Sequence, residues 1–152
     1  MNNAEKKDNL TPSIGVLLVN LGTPEAPTSK AVRPYLRQFL SDPRVIEWPR
    51  WLWLPVLEAI ILRVRPKRSA RLYEEIWTDE GSPLLTISQE ITHKLQETLS
   101  EENETPVKVA LAMRYGQPSI QRGLETLRDN GSRRLLILPM YPQYSVTTVG
   151  TI

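Results

Sequence analysis

The chain has 152 residues, 40% of them hydrophobic and 24% charged, and 19 Lys and Arg against 17 Asp and Glu give a formal charge of +2. That length suits one α/β domain with a filled core and excludes a wholly disordered chain, and so small a charge excess gives no reason to expect a nucleic-acid partner. Cysteine is absent and histidine occurs once, at His93, which excludes disulfides, a thiolate nucleophile, cysteine-held zinc or iron–sulfur clusters, and any mechanism that needs two imidazoles from one chain.

Residues 1–12 (MNNAEKKDNLTP) are polar and lack the apolar run of a signal peptide. They read as a flexible tail ahead of a domain over 13–152. Residues 14–21 (IGVLLVNL) form a continuous apolar run rich in β-branched side chains and closed by Gly22-Thr23-Pro24. A run apolar on both faces predicts a buried strand of a parallel sheet.

The stretch from 23 to 81 is rich in proline and carries a local charge. Between Arg33 and Arg71 nine Lys and Arg stand against three acids; such an excess suits a small anionic ligand or a membrane surface, or is a solvated basic face. Short helices are expected near 33–40, 55–63 and 69–77, joined by bends. An excursion this long between two strands commonly builds a binding surface. The most apolar segment, 51–64 (WLWLPVLEAIILRV), is interrupted by Pro55 and Glu58 and falls short of the roughly 20 residues of a spanning helix. Trp48, Trp51 and Trp53 fit core packing, an oligomer contact or a ligand-facing lip.

Ser82-Pro83 is a helix start, an N-cap followed by proline at the first helical position. Leu84, Ile87, Ile91, Leu95 and Leu99 then form one stripe at helical spacing. His93 lies off that stripe and is expected to face solvent. A second strand is predicted at 107–113 (VKVALAM), a second striped helix over 119–130 with Gly131 as its terminating glycine, and a third strand at 134–138 (RLLIL). Strands alternating with helices predict an α/β parallel sheet with right-handed crossovers.

In such sheets ligands bind beyond the carboxyl ends of the strands. The three loops there hold Leu21, Thr23, Arg114, Tyr115, Tyr141 and Gln143, followed by Tyr144, Ser145, Thr147 and Thr148. Tyrosine faces, hydroxyls and an arginine suit a flat, aromatic, acid-bearing ligand. None is a strong nucleophile or base at neutral pH. No G-x-G-x-x-G follows the first strand and no P-loop occurs.

The segments LLVNLGTPEAP (17–27), EGSPLL (80–85), AMRYGQPSI (112–120) and above all LPMYPQYSVTT (138–148) resemble ferrochelatase, the family that inserts ferrous iron into a porphyrin to make haem, and most closely its bacterial protoporphyrin members. The resemblance implies the class II chelatase fold, two similar Rossmann-like halves with the porphyrin between them, of which 13–152 is the N-terminal one. It implies Leu21 against the macrocycle face. Arg65, Tyr73 and Ser82 then touch the porphyrin and its propionates, and Arg114 and Tyr115 line the pocket floor. Tyr144, Ser145 and Thr148 lie in the loop under the ring. The implied partners are protoporphyrin IX and ferrous iron, both as substrates, together with the C-terminal half that the family carries. Residues 51–61 correspond to a pocket lip, which implies weak membrane contact through Trp51 and Trp53 and a cytoplasmic place peripheral to the inner membrane.

Two departures shape the expectation for this chain. Some members hold an iron–sulfur cluster with a cysteine in the 138–148 loop, where Val146 stands here, so no cofactor is expected. The family's catalytic histidine and acidic partner lie in its second half, so this chain is expected to bind a porphyrin and, alone, not to metallate it. Two other readings fit the same residues: a non-catalytic porphyrin-binding module, and a half-size homodimeric chelatase, for which His93 is the single available imidazole.

Overall fold

The run expected to be buried on both faces is the middle strand of a three-stranded parallel sheet. The computed structural model describes residues 13–152; the stretch 1–12, read above as a tail, lies outside the described residues. Strand β1 (Ser13–Asn20) pairs on one side with β2 (Val107–Met113) and on the other with β3 (Ser132–Pro139), in the order β2-β1-β3. Leu17 sits level with Ala110 and Ile137, and Leu18 with Leu111 and Leu138, so alternate residues across the three strands share a face. Leu17, Val19, Ala110 and Ala112 pack with Leu127 of α5 (Ile120–Asp129) on one face. Val16, Leu18 and Val107 pack with Leu95 and Leu99 of α4 (Pro83–Glu102) on the other. Leu17, Leu18 and Val19 are at most 1% exposed, and each such side chain contributes about 1.5–3 kcal/mol by leaving water.

Local signals in the sequence set the crossovers. Ser119 caps α5, its Oγ accepting from the Arg122 amide at 3.2 Å, and Gly131 ends that helix in the left-handed region at φ +80°. Ser82 occupies the N-cap position of α4 with proline after it, as expected, but its hydroxyl does not cap the helix. It accepts instead from Thr23 Oγ1 at 2.8 Å, which ties the helix start to the loop after β1.

The apolar stripe of α4 is only partly covered. Its C-terminal half lies on the sheet, whereas Ile87 and Ile91 remain exposed. Strand β3 is likewise an edge whose Leu135, Leu136, Ile137 and Leu138 are all between 42% and 55% exposed. The reason is placement: α4 packs chiefly on β2, and α5 lies over β1 and β2 with little reach to β3.

Between β1 and α4 the chain builds a separate helical layer. Helix α1 (Ser29–Leu40) starts at Thr28, whose Oγ1 accepts from the Ala31 amide at 3.3 Å, and buries Val32, Tyr35, Leu36 and Leu40. The two short helices expected at 55–63 and 69–77 are one nearly continuous rod: α2 (Arg50–Val56), a π-helical turn (Leu57–Ile61) and α3 (Leu62–Ile76). Both Pro55 and Pro66 sit inside it and withhold amides from the carbonyls of Trp51 and Leu62. The buried residues of the rod explain why its periodicity misleads. Leu57 to Leu62 is a step of five, and Leu62, Pro66 and Ala70 follow in steps of four. The extra residue is the π turn, which breaks the helical pattern in the sequence without ending the helix.

The loops after β1 and β2 touch backbone to backbone. Gly22, at φ +108°, lies so close to Tyr115 that a Cβ there would stand 1.7 Å from the Tyr115 carbonyl oxygen. Gly116, at φ +89°, faces the Thr23 carbonyl in the same way, at 2.7 Å. Gly22→Ala therefore meets both a left-handed backbone and a backbone clash. It is expected to destabilise the chain by more than the roughly 1–3 kcal/mol of backbone strain alone, read from urea unfolding. An unchanged midpoint would contradict the loop packing.

Candidate ligand-binding site

One face of α1 and its C-terminal extension reaches over the carboxyl ends of β1 and β2. Tyr35 donates its hydroxyl to the Gly22 carbonyl at 3.2 Å. Gln38 Oε1 accepts from the Gly116 amide at 2.9 Å. Asp42, two residues past the helix, accepts from Arg114 Nη2 at 2.6 Å and from the Tyr115 hydroxyl at 3.0 Å through the same oxygen. Positions 35, 38 and 42 are spaced so that they share one helical face. The other Asp42 oxygen accepts from the Arg44 amide at 2.8 Å, so the carboxylate is held from both sides.

Around that anchor the aromatic side chains form a continuous floor. Tyr115 is 1% exposed, lies edge-on to Phe39 at 5.1 Å between centroids, and carries the Arg114 guanidinium 4.8 Å from its ring centroid. Tyr35 stacks on Phe39 and meets Tyr73 edge-on, both at 6.4 Å, and Tyr73 in turn meets Trp77. Leu21 packs against the same cluster. Two polar atoms are buried without a partner among the described residues, Arg114 Nε and the Tyr141 hydroxyl.

Burial holds these phenols in their neutral form. It is the leading cause that raises Tyr115 to about 12, with the Asp42 carboxylate adding to the effect. Burial likewise raises Tyr73 and Tyr141, and Tyr35 most of all, where Tyr73 contributes as well. At neutral pH the floor offers aromatic faces and hydrogen bonds but no base.

The other residues singled out from the sequence fall in three places. Arg65 lines an open groove of about 540 Å³ along the π turn and α3, with Ile60, Ile61, Val64, Arg68, Ser69 and Leu72. Ser82 is buried in a different cleft, with Thr23, Trp77, Glu80 and Leu85. Tyr73 lies in the aromatic cluster itself. In the loop after β3, the Ser145 and Thr148 hydroxyls bond each other at 2.8 Å within a tight turn, and Tyr144 is 72% exposed. Leu21, Tyr73, Arg114 and Tyr115 are thus brought to one floor, while Arg65, Ser82 and the Tyr144 turn are not part of that cluster. Asp42, Gln38 and Tyr35 were not singled out from the sequence; their common spacing on one helix face was the signal.

The tryptophans separate as well. Trp51 is 79% exposed, but Trp53 is half-buried and donates its Nε1 to the Leu40 carbonyl at 2.7 Å, closing the end of α1. No helix among the described residues is long and apolar enough to cross a membrane. His93 lies on the outer face of α4, three-quarters exposed beside Glu97.

A three-stranded parallel sheet with helices on both faces defines a Rossmann-like α/β domain. The family model described as Ferrochelatase matches residues 13–152, and the chain belongs to the ferrochelatase family. It is 59% identical over 138 residues to a protein named ferrochelatase from Thioalkalivibrio sulfidiphilus, covering 91% of this chain and 37% of that one. It is 51% identical over 142 residues to ferrochelatase 1 of Shewanella oneidensis, covering 93% and 42%. A protein named coproporphyrin III ferrochelatase from Symbiobacterium thermophilum is 57% identical over 137 residues, covering 90% and 42%. The chain spans about two fifths of the length of these curated relatives.

The raised phenols make stability depend on alkaline pH in one direction. A tyrosine whose folded value lies above its ordinary 10.0 favours the fold fully below that value, and the contribution is lost as pH rises through the folded one. Circular dichroism should therefore stay flat up to about pH 10 and fall as tyrosinate absorbance grows towards about 12. Full ionisation of the buried tyrosines with the fold intact would contradict the floor described above.

Proposed function

We propose that this chain is the porphyrin-holding part of a ferrochelatase, acting in the insertion of ferrous iron into protoporphyrin IX. The observation that carries this reading is an uncharged aromatic floor together with a basic, apolar-walled groove that shares Ile61 with the packing around the floor. A porphyrin is a flat apolar ring with carboxylates at its edge. The partly buried Leu21 and Tyr73 suit the ring, with Tyr115 buried beneath as their support, and Arg65 and Arg68 in the groove suit the carboxylates, which a guanidinium pairs through two parallel hydrogen bonds.

Metal insertion needs two protons removed from the pyrrole nitrogens and water shed from the iron. The phenols of the floor hold their protons at neutral pH, and Asp42 is engaged with Arg114 and Tyr115. The part of this chain is accordingly to bind and orient the ring, with ferrous iron as the second substrate and with no cofactor of its own. The half-size dimer reading gains nothing from His93, which lies exposed on the outer face of α4 with Glu97 as its neighbour. Anaerobic absorbance titration of the 152-residue chain with protoporphyrin should shift the porphyrin bands, and addition of ferrous ion should leave them as free-base spectra. Metalloporphyrin forming faster than in a protein-free control would overturn the division of labour; absence of any band shift would overturn the binding role.

The same reading puts the exposed Trp51 at a lip that touches a membrane surface, peripheral to the inner membrane from the cytoplasmic side. Its aromatic ring suits the headgroup level of a bilayer, and the basic residues of α3 stand nearby in sequence. Trp53 serves the fold instead, through its bond to Leu40. In liposome co-sedimentation with anionic lipid, Trp51→Ala should pellet less than the parent chain, whereas Trp53→Ala should chiefly lower the unfolding midpoint. Identical pelleting of parent and Trp51→Ala would remove the lip.

A further inference from the structure

The Asp42 carboxylate is the most heavily engaged charged group among the described residues. Its side chain is 6% exposed, against 24% for its ion-pair partner Arg114. One oxygen takes both the Arg114 guanidinium and the Tyr115 hydroxyl, the other takes the Arg44 amide, and its own carbonyl accepts from the Val45 and Ile46 amides. The residue thus closes α1 into a turn and, through that turn, reaches the loop after β2. A carboxylate so buried and so fully bonded has little freedom to move, and the groups bonded to it share its rigidity.

We propose that Asp42 is the positioning residue of the ring-binding floor: its carboxylate locks the Arg114 guanidinium and the Tyr115 hydroxyl into one unit and cancels the Arg114 charge. The inference rests on the porphyrin reading above for its ligand and on geometry for everything else. Its functional content is a division among the arginines. Arg114 is spent on Asp42, so the floor presents a neutral, rigid surface to an apolar ring, and the ligand's carboxylates are left to the unpaired guanidiniums of the outer groove. Among the described residues Arg65 and Arg68 have no ion-pair partner. A floor arginine without Asp42 would be a partly buried, unpaired and mobile positive charge against the ring's face, and the Tyr115 phenol would lose its charged acceptor.

The test uses two independent readouts on the 152-residue chain, tyrosinate absorbance during base titration and absorbance titration with protoporphyrin. In Asp42→Asn one of the five tyrosines should ionise at lower pH than in the parent. That early step should vanish in Asp42→Asn/Tyr115→Phe, which assigns it to Tyr115. Protoporphyrin affinity should fall about tenfold or more, and Asp42→Glu, which keeps the charge, should recover part of both effects. A purely structural aspartate would lower the unfolding midpoint without singling out one tyrosine. Where Asp42→Asn does not fold, Asp42→Asn/Arg114→Met removes both charges together and should fold but bind at least tenfold more weakly. An unchanged tyrosine titration in Asp42→Asn, or parent-like affinity in the double variant, overturns the positioning role. If the parent chain binds no porphyrin, the functional reading falls, while the tyrosine titration still decides whether Asp42 holds Tyr115.

Discussion

Three hydrogen-bonding side chains, Tyr35 and Gln38 on one face of α1 and Asp42 just past its end, hold this candidate site together. Tyr35, Gln38 and Asp42 reach from the helical layer to the Gly22 carbonyl, the Gly116 amide and the Arg114–Tyr115 pair. Without them the layer from 29 to 76 would be a hydrophobic cluster resting on a sheet edge, with nothing to fix its orientation. Apolar burial is non-directional, whereas a hydrogen bond to a particular backbone group has a distance and an angle. The three ties convert loose packing into a fixed floor. They work only because the loops after β1 and β2 are themselves pressed together, and only glycine at 22 and 116 permits that approach.

The same arrangement sorts the charges. The basic excess between Arg33 and Arg71 is not one patch with one use. Arg37 pairs with Glu58 across α1 and the π turn, and Arg50 closes onto the Ser41 carbonyl. Arg65 and Arg68 are left along the groove. Arg114, the arginine nearest the floor, is neutralised by Asp42. Charge beside the aromatic cluster is thus paired, since an unpaired charge there would cost desolvation without a partner.

Helices α4 and α5 cover the middle strand on both faces, which anchors the strand ends from which the floor loops spring. The coverage fades towards β3, where a strand of buried character stands with its apolar side chains in solvent. The floor therefore rests on the well-covered pair β1 and β2, and the turn of Tyr144, Ser145 and Thr148 springs from the less covered edge. That turn is held by its own hydroxyl bonds and ends in the buried Thr151.

Much of this was legible in the amino-acid order. The three strands follow from apolar runs with β-branched residues, and α5 from its stripe, its Ser119 cap and Gly131; these signals are local, and each acts within a few residues of chain. The strand-end placement of Leu21, Arg114 and Tyr115 followed from the same pattern, because parallel sheets present their ligand loops on one side. What the sequence could not carry was long-range. The π turn hid the continuity of α2 and α3, because an added residue shifts the apolar period without marking itself. Ser82 reads as a cap, yet its hydroxyl is claimed by Thr23, a residue 59 positions away. Asp42 reads as one acid in a basic stretch; only the fold brings it to Arg114, 72 positions away. Sequence alone thus determined the strands, helices α4 and α5 and the family, since these are written in short patterns, and the tertiary structure decided how α2 and α3 join and which polar groups meet, since a hydrogen bond needs two partners that the chain brings together only when folded.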